Sequence, residues 1–116
     1  MTDLDLLGTG ATAALQIVGT TELRSRRLMQ KVLLLLLGPE PTGYDLLAKL
    51  RGASGSDLLQ HHLDLGRETA LDGMDLRDRL AIRELAITVS NYEAANAAID
   101  ITLATSTETA QSTVTL

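Results

Sequence analysis

Residues 20–51 read TTELRSRRLMQKVLLLLLGPEPTGYDLLAKLR, and the rest of the chain has to pack around them. Apolar residues recur there at helical spacing, which predicts a first helix over residues 20–37. One face of that helix carries Leu28, Val32, Leu35 and Leu36, and the face is widened by Met29, Leu33, Leu34 and Leu37. A helix that is apolar nearly all round needs cover on several sides. In a chain this short, we expect another protein to supply part of that cover.

The helical part of the chain continues beyond the segment GPEPTG (residues 38–43), whose two prolines disfavour helix in the residues before them. A short helix is predicted over residues 44–50, and helical spacing returns over residues 57–84. Whether that last region forms one kinked helix or two stays open. Its second half is expected to turn Leu76, Leu80 and Ala81 inward, with five hydrated charges: Asp75, Arg77, Asp78, Arg79 and Arg83.

The apolar period changes after Glu84. Three runs alternate apolar with polar residues, at Leu85, Ile87 and Val89, at Ile99, Ile101 and Leu103, and at Val114 and Leu116. This period of two predicts an antiparallel three-stranded meander with turns at residues 91–96 and 105–110. The fold class is therefore α+β, with N-terminal helices packed on a small C-terminal sheet.

The first nineteen residues are expected to form an N-terminal arm, and residues 20–116 a single domain. Residues 1–10 suggest an extended arm or turn, and residues 11–18 a short strand between glycines. A chain of 116 residues fits one domain by the usual length.

Composition narrows the function classes. The net charge is −5, which does not suggest a nucleic-acid partner, and the absence of cysteine excludes disulfides and thiolate chemistry. The six-residue apolar run at 32–37 is far shorter than the roughly 20 residues that cross a bilayer. The acidic start MTDLDLLGTG lacks the positive charge of a signal peptide. We expect a soluble intracellular protein with no membrane partner.

Candidate catalytic and metal-binding groups are few. His61 and His62 are adjacent, so on a helix they point about 100° apart, and Asp64 is the nearest carboxylate. A solvated helix face is expected there rather than a metal site. Glu40 and Asp45 could be the carboxylate pair of a glycan hydrolase, but two tyrosines are too few aromatic residues for a sugar platform. We expect no enzymatic activity and no cofactor.

Two features favour protein binding instead. The basic cluster Arg24, Arg26, Arg27 and Lys31 stands out in an acidic chain and is a candidate docking surface. Residues 105–116 contain no Lys and no Pro, the residues that usually protect an edge strand. The last strand is therefore expected to add to a partner's sheet through Thr113, Val114, Thr115 and Leu116.

Three segments resemble one family, the baseplate wedge proteins of contractile phage tails, which include the sheath initiator. They are LQIVGTTELR (residues 15–24) before the first helix, GPEPTGYDLL (residues 38–47) after it, and RELA (residues 83–86) where the last helix meets the first strand. The family often carries Glu-Pro-Arg at the last position; here Glu84 is kept, Leu85 and Ala86 follow, and Arg83 supplies a charge on the other side. Although the family's name refers to lysozyme, the resemblance implies no enzyme.

The resemblance implies a structural protein of the virion's tail baseplate, present in the host cytoplasm during assembly. Its partners would be baseplate wedge proteins, contacted through Arg83 and Glu84, and the tail sheath protein, templated by the C-terminal strands. The alternative from the residues themselves is a homo-oligomeric adaptor domain that buries its leucine helix against a second copy.

Overall fold

The computed structural model describes residues 2–5, 12–19, 23–90 and 97–115, with side chains placed in 24–90 and 97–115. The elements are, in chain order, β1 (Thr2–Asp5), β2 (Thr12–Gly19), α1 (Leu23–Leu37), α2 (Leu46–Arg51), α3 (Ser56–Asp72), α4 (Leu76–Ala81), β3 (Glu84–Ser90), β4 (Ala98–Ala104) and β5 (Glu108–Thr115). No helix among these residues is long and apolar enough to span a bilayer.

The α+β class and the C-terminal antiparallel meander are confirmed. β3 pairs with β4 and β4 with β5, with Ile87 opposite Ile101 and Leu103 opposite Ala110. Alternate residues of these strands are buried, as the period of two predicted. The buried face packs on the helices and completes a single core.

The sheet is larger than expected, because β1 and β2 extend it to five strands in the order β1-β2-β5-β4-β3. The division into an arm at residues 1–19 and a domain at 20–116 is therefore wrong. The expected strand at residues 11–18 is present as β2, and it pairs with β5 from Val114 to Glu108.

This pairing also corrects the expectation of a free edge at the end of the chain. β5 lies inside the sheet, with β2 on one side and β4 on the other. Val114 faces Ala13 across one ladder and Ile99 across the other, so its backbone has neighbours on both sides. An internal strand cannot accept another chain without losing one of its own ladders.

The core is built around α1. Six of its side chains have no exposed surface: Leu28, Met29, Val32, Leu33, Leu36 and Leu37. Their cover comes from α2, α3 and the sheet of the same chain, so the expectation that another protein is needed to cover this helix is wrong. Leu35 is only half-buried, and Leu34, on the solvent side, is 45% exposed.

The turn after α1 is compact and depends on glycine. The backbone N–H of Gly43 donates to the Pro39 carbonyl, and that of Asp45 to the Gly38 carbonyl, both within 2.9 Å. A Cβ atom on Gly43 would lie 2.3 Å from the Gly38 carbonyl oxygen, closer than any real contact. A side chain at position 43 is therefore incompatible with this turn, which delivers Tyr44 and α2 to the core.

Residues 57–84 form two helices, α3 and α4, which resolves the question the sequence left open. Gly73 follows α3, and the Asp75 side chain then accepts a hydrogen bond from the Asp78 backbone N–H at 2.9 Å, as an N-cap. α4 ends earlier than predicted, because Ile82 has extended backbone geometry and Glu84 already belongs to β3.

Candidate protein-interaction surface

Asp78 fastens α4 to α1. Its side chain is only 1% exposed and lies between Lys31, whose Nζ donates to Oδ2, and Arg27, whose Nη2 donates to Oδ1 at 3.3 Å. The hydrogen bond from Lys31 is the main reason that the pKa of Asp78 lies below its ordinary value; burial opposes this shift and Arg27 adds to it. The expectation that Asp78 is hydrated is wrong.

The orientation of Asp78 decides where the leucines of α4 point. At 3.6 residues per turn, positions 76 and 80 lie about 160° around the helix from position 78. Leu76 and Leu80 are accordingly 71% and 75% exposed, although their spacing suggested core positions. The prediction that they face inward is wrong, because the buried ion pair, rather than the leucines, sets the rotation of this short helix.

Arg77 and Arg79 flank this exposed pair, one on each side. Both are exposed, and Arg79 makes a long, exposed contact of 3.5 Å with Asp72. An exposed pair at this distance contributes little to stability. The outer face of α4 therefore presents two leucines between two arginines; we call these four residues the α4 face.

Arg83 and Glu84 come directly after α4 and are both exposed. With Arg79, Ile82 and Leu85 they line a cavity of about 130 Å³, closed on the α3 side by Arg67 and Leu71. Arg67 Nε donates to the Leu85 carbonyl oxygen at 2.6 Å and ties the start of β3 to α3. The two charges that the sequence singled out thus lie at an accessible junction of α4, α3 and β3.

The basic cluster on α1 is partly used inside the fold. Arg27 and Lys31 bind Asp78, while Arg24 is exposed. Arg26 is half-buried, and its Nε has no hydrogen-bond partner among the described residues. The expected docking role therefore falls to fewer cations than the sequence suggested, and the cations nearest α4 help to position that helix.

The C-terminal residues predicted to bind a partner alternate between the two faces of β5. Val114 is fully buried, whereas Thr113 and Thr115 are exposed on the opposite face. Thr113 Oγ1 donates to Asp100 Oδ1 at 3.1 Å. Leu116 lies outside the described residues. Among the four predicted contacts, only the threonines present side chains to a partner.

The outer strand on this side of the sheet is β3, and at its start the Leu85 carbonyl already accepts from Arg67. Within the described residues, β3 has β4 as its one strand neighbour. It is seven residues long, ELAITVS, with no Lys and no Pro. The other outer strand, β1, has four residues, TDLD, and two of them are aspartates, which make an edge less receptive to another strand.

The histidine pair forms part of the packing beside Tyr44. Tyr44 Oη and His62 Nδ1 are 2.8 Å apart, and Lys49 Nζ lies 4.6 Å from the centre of the tyrosine ring. Burial raises the pKa of Tyr44, and the hydrogen bond to Glu40 is the main cause of the raised pKa of Lys49. The expectation of a solvated face holds for His61, which is exposed, but is wrong for half-buried His62.

Glu40 is engaged in an exposed ion pair with Lys49. Asp45 caps α2 in a left-handed backbone conformation, with φ 54° and no side-chain capping bond. Over residues 24–90 and 97–115, no three His, Asp or Glu side chains are grouped closely enough to hold a metal ion.

Among the described residues, the candidate contact sites are therefore the α4 face with the adjoining Arg83 and Glu84, and the outer strand β3. Compared with known proteins, the chain matches no family model, no curated protein and no solved structure.

Proposed function

We propose that this chain is a non-enzymatic structural component of a contractile phage tail baseplate. It would bind wedge proteins through the α4–β3 junction and start the sheath through its sheet. The proposal starts from the resemblance of three sequence segments. The positions of these segments in the fold support the proposal. They lie at the end of β2 before α1, at the glycine-dependent turn before α2, and at the junction between α4 and β3.

The observation that carries the proposal is the exposure of Arg83 and Glu84. If Arg83 and Glu84 served only to stabilise the fold, each would be expected to form a salt bridge within the chain. Neither has an ion-pair partner among the described residues, and both border an open cavity at the junction. Unpaired charges of both signs at one accessible point suit a partner that offers the complementary pair.

Replacing both residues, Arg83→Ala with Glu84→Ala, is expected to leave the isolated domain folded, because exposed positions usually change stability by under about 0.5 kcal/mol. Incorporation of the variant into baseplates should fall at least about tenfold, since one lost charged contact costs about 1.5–3 kcal/mol. Thermal unfolding of the purified chain and its amount in purified baseplates are the measurements. Wild-type incorporation of a folded double variant would contradict the wedge contact.

We propose that the strand that templates the sheath is β3 rather than β5. An edge strand without Lys or Pro can accept another chain, and β3, which begins at Glu84, meets that condition. Strand addition at β3 would extend the five-stranded sheet without displacing any of its own strands. Thr113 and Thr115 of β5, whose side chains are exposed on the face of the sheet, are the alternative location of the sheath contact.

Two matched lysine substitutions test this location. Thr88 on β3 and Thr113 on β5 both lie opposite Asp100 on β4, and both are exposed on the same face. We expect Thr88→Lys to permit baseplate incorporation but to leave many tubes without sheath under the electron microscope, because an edge lysine hinders strand addition. Thr113→Lys adds the same charge to an internal strand and should leave sheath assembly intact.

Full sheaths on Thr88→Lys baseplates would rule out the β3 edge. Failure with Thr113→Lys alone would place the sheath contact on the face of β5.

The alternative of a homo-oligomeric adaptor domain required the leucine helix to be buried against a second copy. That helix is already buried in its own fold, so it is not free for such a contact. As part of the proposal, we place the protein in the tail baseplate of the virion, and in the host cytoplasm during assembly. Its partners would be wedge and sheath proteins, without nucleic acid, membrane or cofactor.

A further inference from the structure

The stability of the fold does not explain why the two leucines of the α4 face are exposed. Of the large apolar side chains in the described residues, Leu76 and Leu80 are the most exposed, and they are neighbours one helical turn apart. Two adjacent leucines in water have a free-energy cost that a polar pair at these positions would avoid. A fold-stability role does not explain them, because α4 already has its anchor in Asp78.

The anchor also makes the face rigid. Asp78 is held by two cations from α1, and the N-cap bond from its own backbone to Asp75 fixes the first turn. A contact surface whose orientation is fixed before binding loses less entropy when a partner docks. The leucines are thus presented in one orientation with respect to the rest of the molecule.

The charges around the leucines select the partner. Arg77 and Arg79 border the two leucines, in a chain whose net charge is −5. Two exposed carboxylates lie close by, outside the α4 face: Asp72 makes only a long contact with Arg79, and Asp75 accepts the N-cap bond at the start of the helix. Two such faces packed on each other about a twofold axis would bring arginines against arginines. Like charges across an interface are unfavourable, whereas carboxylates at the rim of a partner would be attracted.

We propose that the α4 face is a docking site for an acidic amphipathic helix of a partner protein. Leu76 and Leu80 would receive apolar residues spaced one turn apart on that helix, and Arg77 and Arg79 would pair with the flanking Asp or Glu side chains. This site lies on α4 itself and adjoins the Arg83–Glu84 contact, because Arg79 borders both, but it goes beyond the proposed function. It holds for an acidic helix from any source.

The test uses the full chain and two designed peptides of about twenty residues. Each peptide is an alanine-based helix with leucines at i, i+4 and i+7, and the leucines are flanked by Glu in one peptide and by Lys in the other. Fluorescence anisotropy of the labelled peptides gives the affinities at low and at moderate salt. We expect the Glu peptide to bind at least tenfold more tightly than the Lys peptide, with an affinity that falls as salt is added.

Two variants of the chain locate the binding. Leu76→Ser with Leu80→Ser should lose at least tenfold in affinity for the Glu peptide. Arg77→Glu with Arg79→Glu should reverse the preference in favour of the Lys peptide. As a matched control, Leu58→Ser with Leu65→Ser removes two other exposed leucines, on α3, and should bind like the wild type. Circular dichroism confirms that each variant is folded.

Three results would overturn the proposal: no binding of the Glu peptide, equal binding of both peptides, or a dimer of the chain that depends on Leu76 and Leu80 in sedimentation experiments. The last result would make a second copy the occupant of the face. Because the peptides contain no baseplate sequence, none of these results depends on the proposed function, and baseplate incorporation of the Arg83 and Glu84 double variant tests that separately.

Discussion

The substitution Leu36→Asp is expected to unfold the chain at room temperature. Leu36 has no exposed surface and lies in the last turn of α1, where its Cδ1 atom also fills the space beside Gly66 of α3. Truncating a buried leucine to alanine costs about 2–5 kcal/mol, and a carboxylate at the same place must in addition lose its water. The loss should exceed about 4 kcal/mol, a large part of the total stability of a domain this size.

Leu34→Asp is the matched control, because it introduces the same group on the same helix at a position that is 45% exposed. Its effect should stay within about 1 kcal/mol. Circular dichroism and urea titration of the two variants give the comparison. Equal stability of the Leu36 variant and the wild type would mean that the face of α1 that carries Leu36 is not buried. Leu35 was predicted on the same face as Leu36 but is half-buried, so Leu35→Asp should fall between the two.

Asp78→Asn is expected to lower the free energy of unfolding by about 1–2 kcal/mol. Hydrogen bonds to a charged group usually contribute about 1.5–3 kcal/mol, and the loss is smaller here because Arg27 and Lys31 are half-exposed and can regain water. The loss depends on pH. The pKa of Asp78 in the folded chain lies below its ordinary value of 3.8, so the ion pairs contribute fully above that pH. Their contribution disappears as the pH falls through the lower folded value.

Urea titrations from pH 7 down to pH 3 should therefore show a gap between wild type and Asp78→Asn that is constant near neutrality and narrows below about pH 3.8. Asp72→Asn provides the control, since its carboxylate is exposed and its contact with Arg79 is long. It should match the wild type throughout. A gap of the same size at every pH would show that the loss comes from the shape of the side chain and not from its charge.

Much of the fold follows from periodicity that the sequence displays. The apolar face of α1 and the alternation of Leu85 and Ile87, or of Ile99 and Ile101, are strong local signals, because each burial pattern repeats over a whole element. The α+β class and the C-terminal meander could be predicted for that reason. The turn at residues 38–43 was also evident, from its prolines and glycines.

The sheet's full extent could not be predicted in the same way. β2 was visible as a short strand, but nothing local states that it pairs with β5, which lies nearly a hundred residues further along the chain. The free edge assigned to β5 failed for this reason: whether a strand is at an edge is a property of the whole sheet.

The rotation of α4 was missed because six residues give too little pattern to fix a helical phase. Leucine is usually buried and aspartate hydrated, and both expectations fail at Leu76, Leu80 and Asp78 together. The contact of Asp78 with Lys31 and Arg27 sets the rotation of α4, so that Asp78 faces α1 and the two leucines face solvent. By contrast, Arg83 and Glu84 were selected through the family resemblance, and their exposure agrees with the usual hydration of charged residues.

The pairing of β2 with β5 also bears on the order in which the molecule assembles. Ala13 and Val114 are partners in the sheet, so that ladder can close only after almost all the chain between them has been made. On the ribosome, α1 to α4 and the β3–β4 hairpin could form from neighbouring segments, while β2 waits for its partner. Contacts between distant segments slow folding, because a long loop must be closed before the contact forms. The joining of β2 to β5 should therefore be the last and slowest step of folding. In a nascent chain stalled before residue 108, the β2 amide hydrogens that bond to β5 should still exchange freely with solvent.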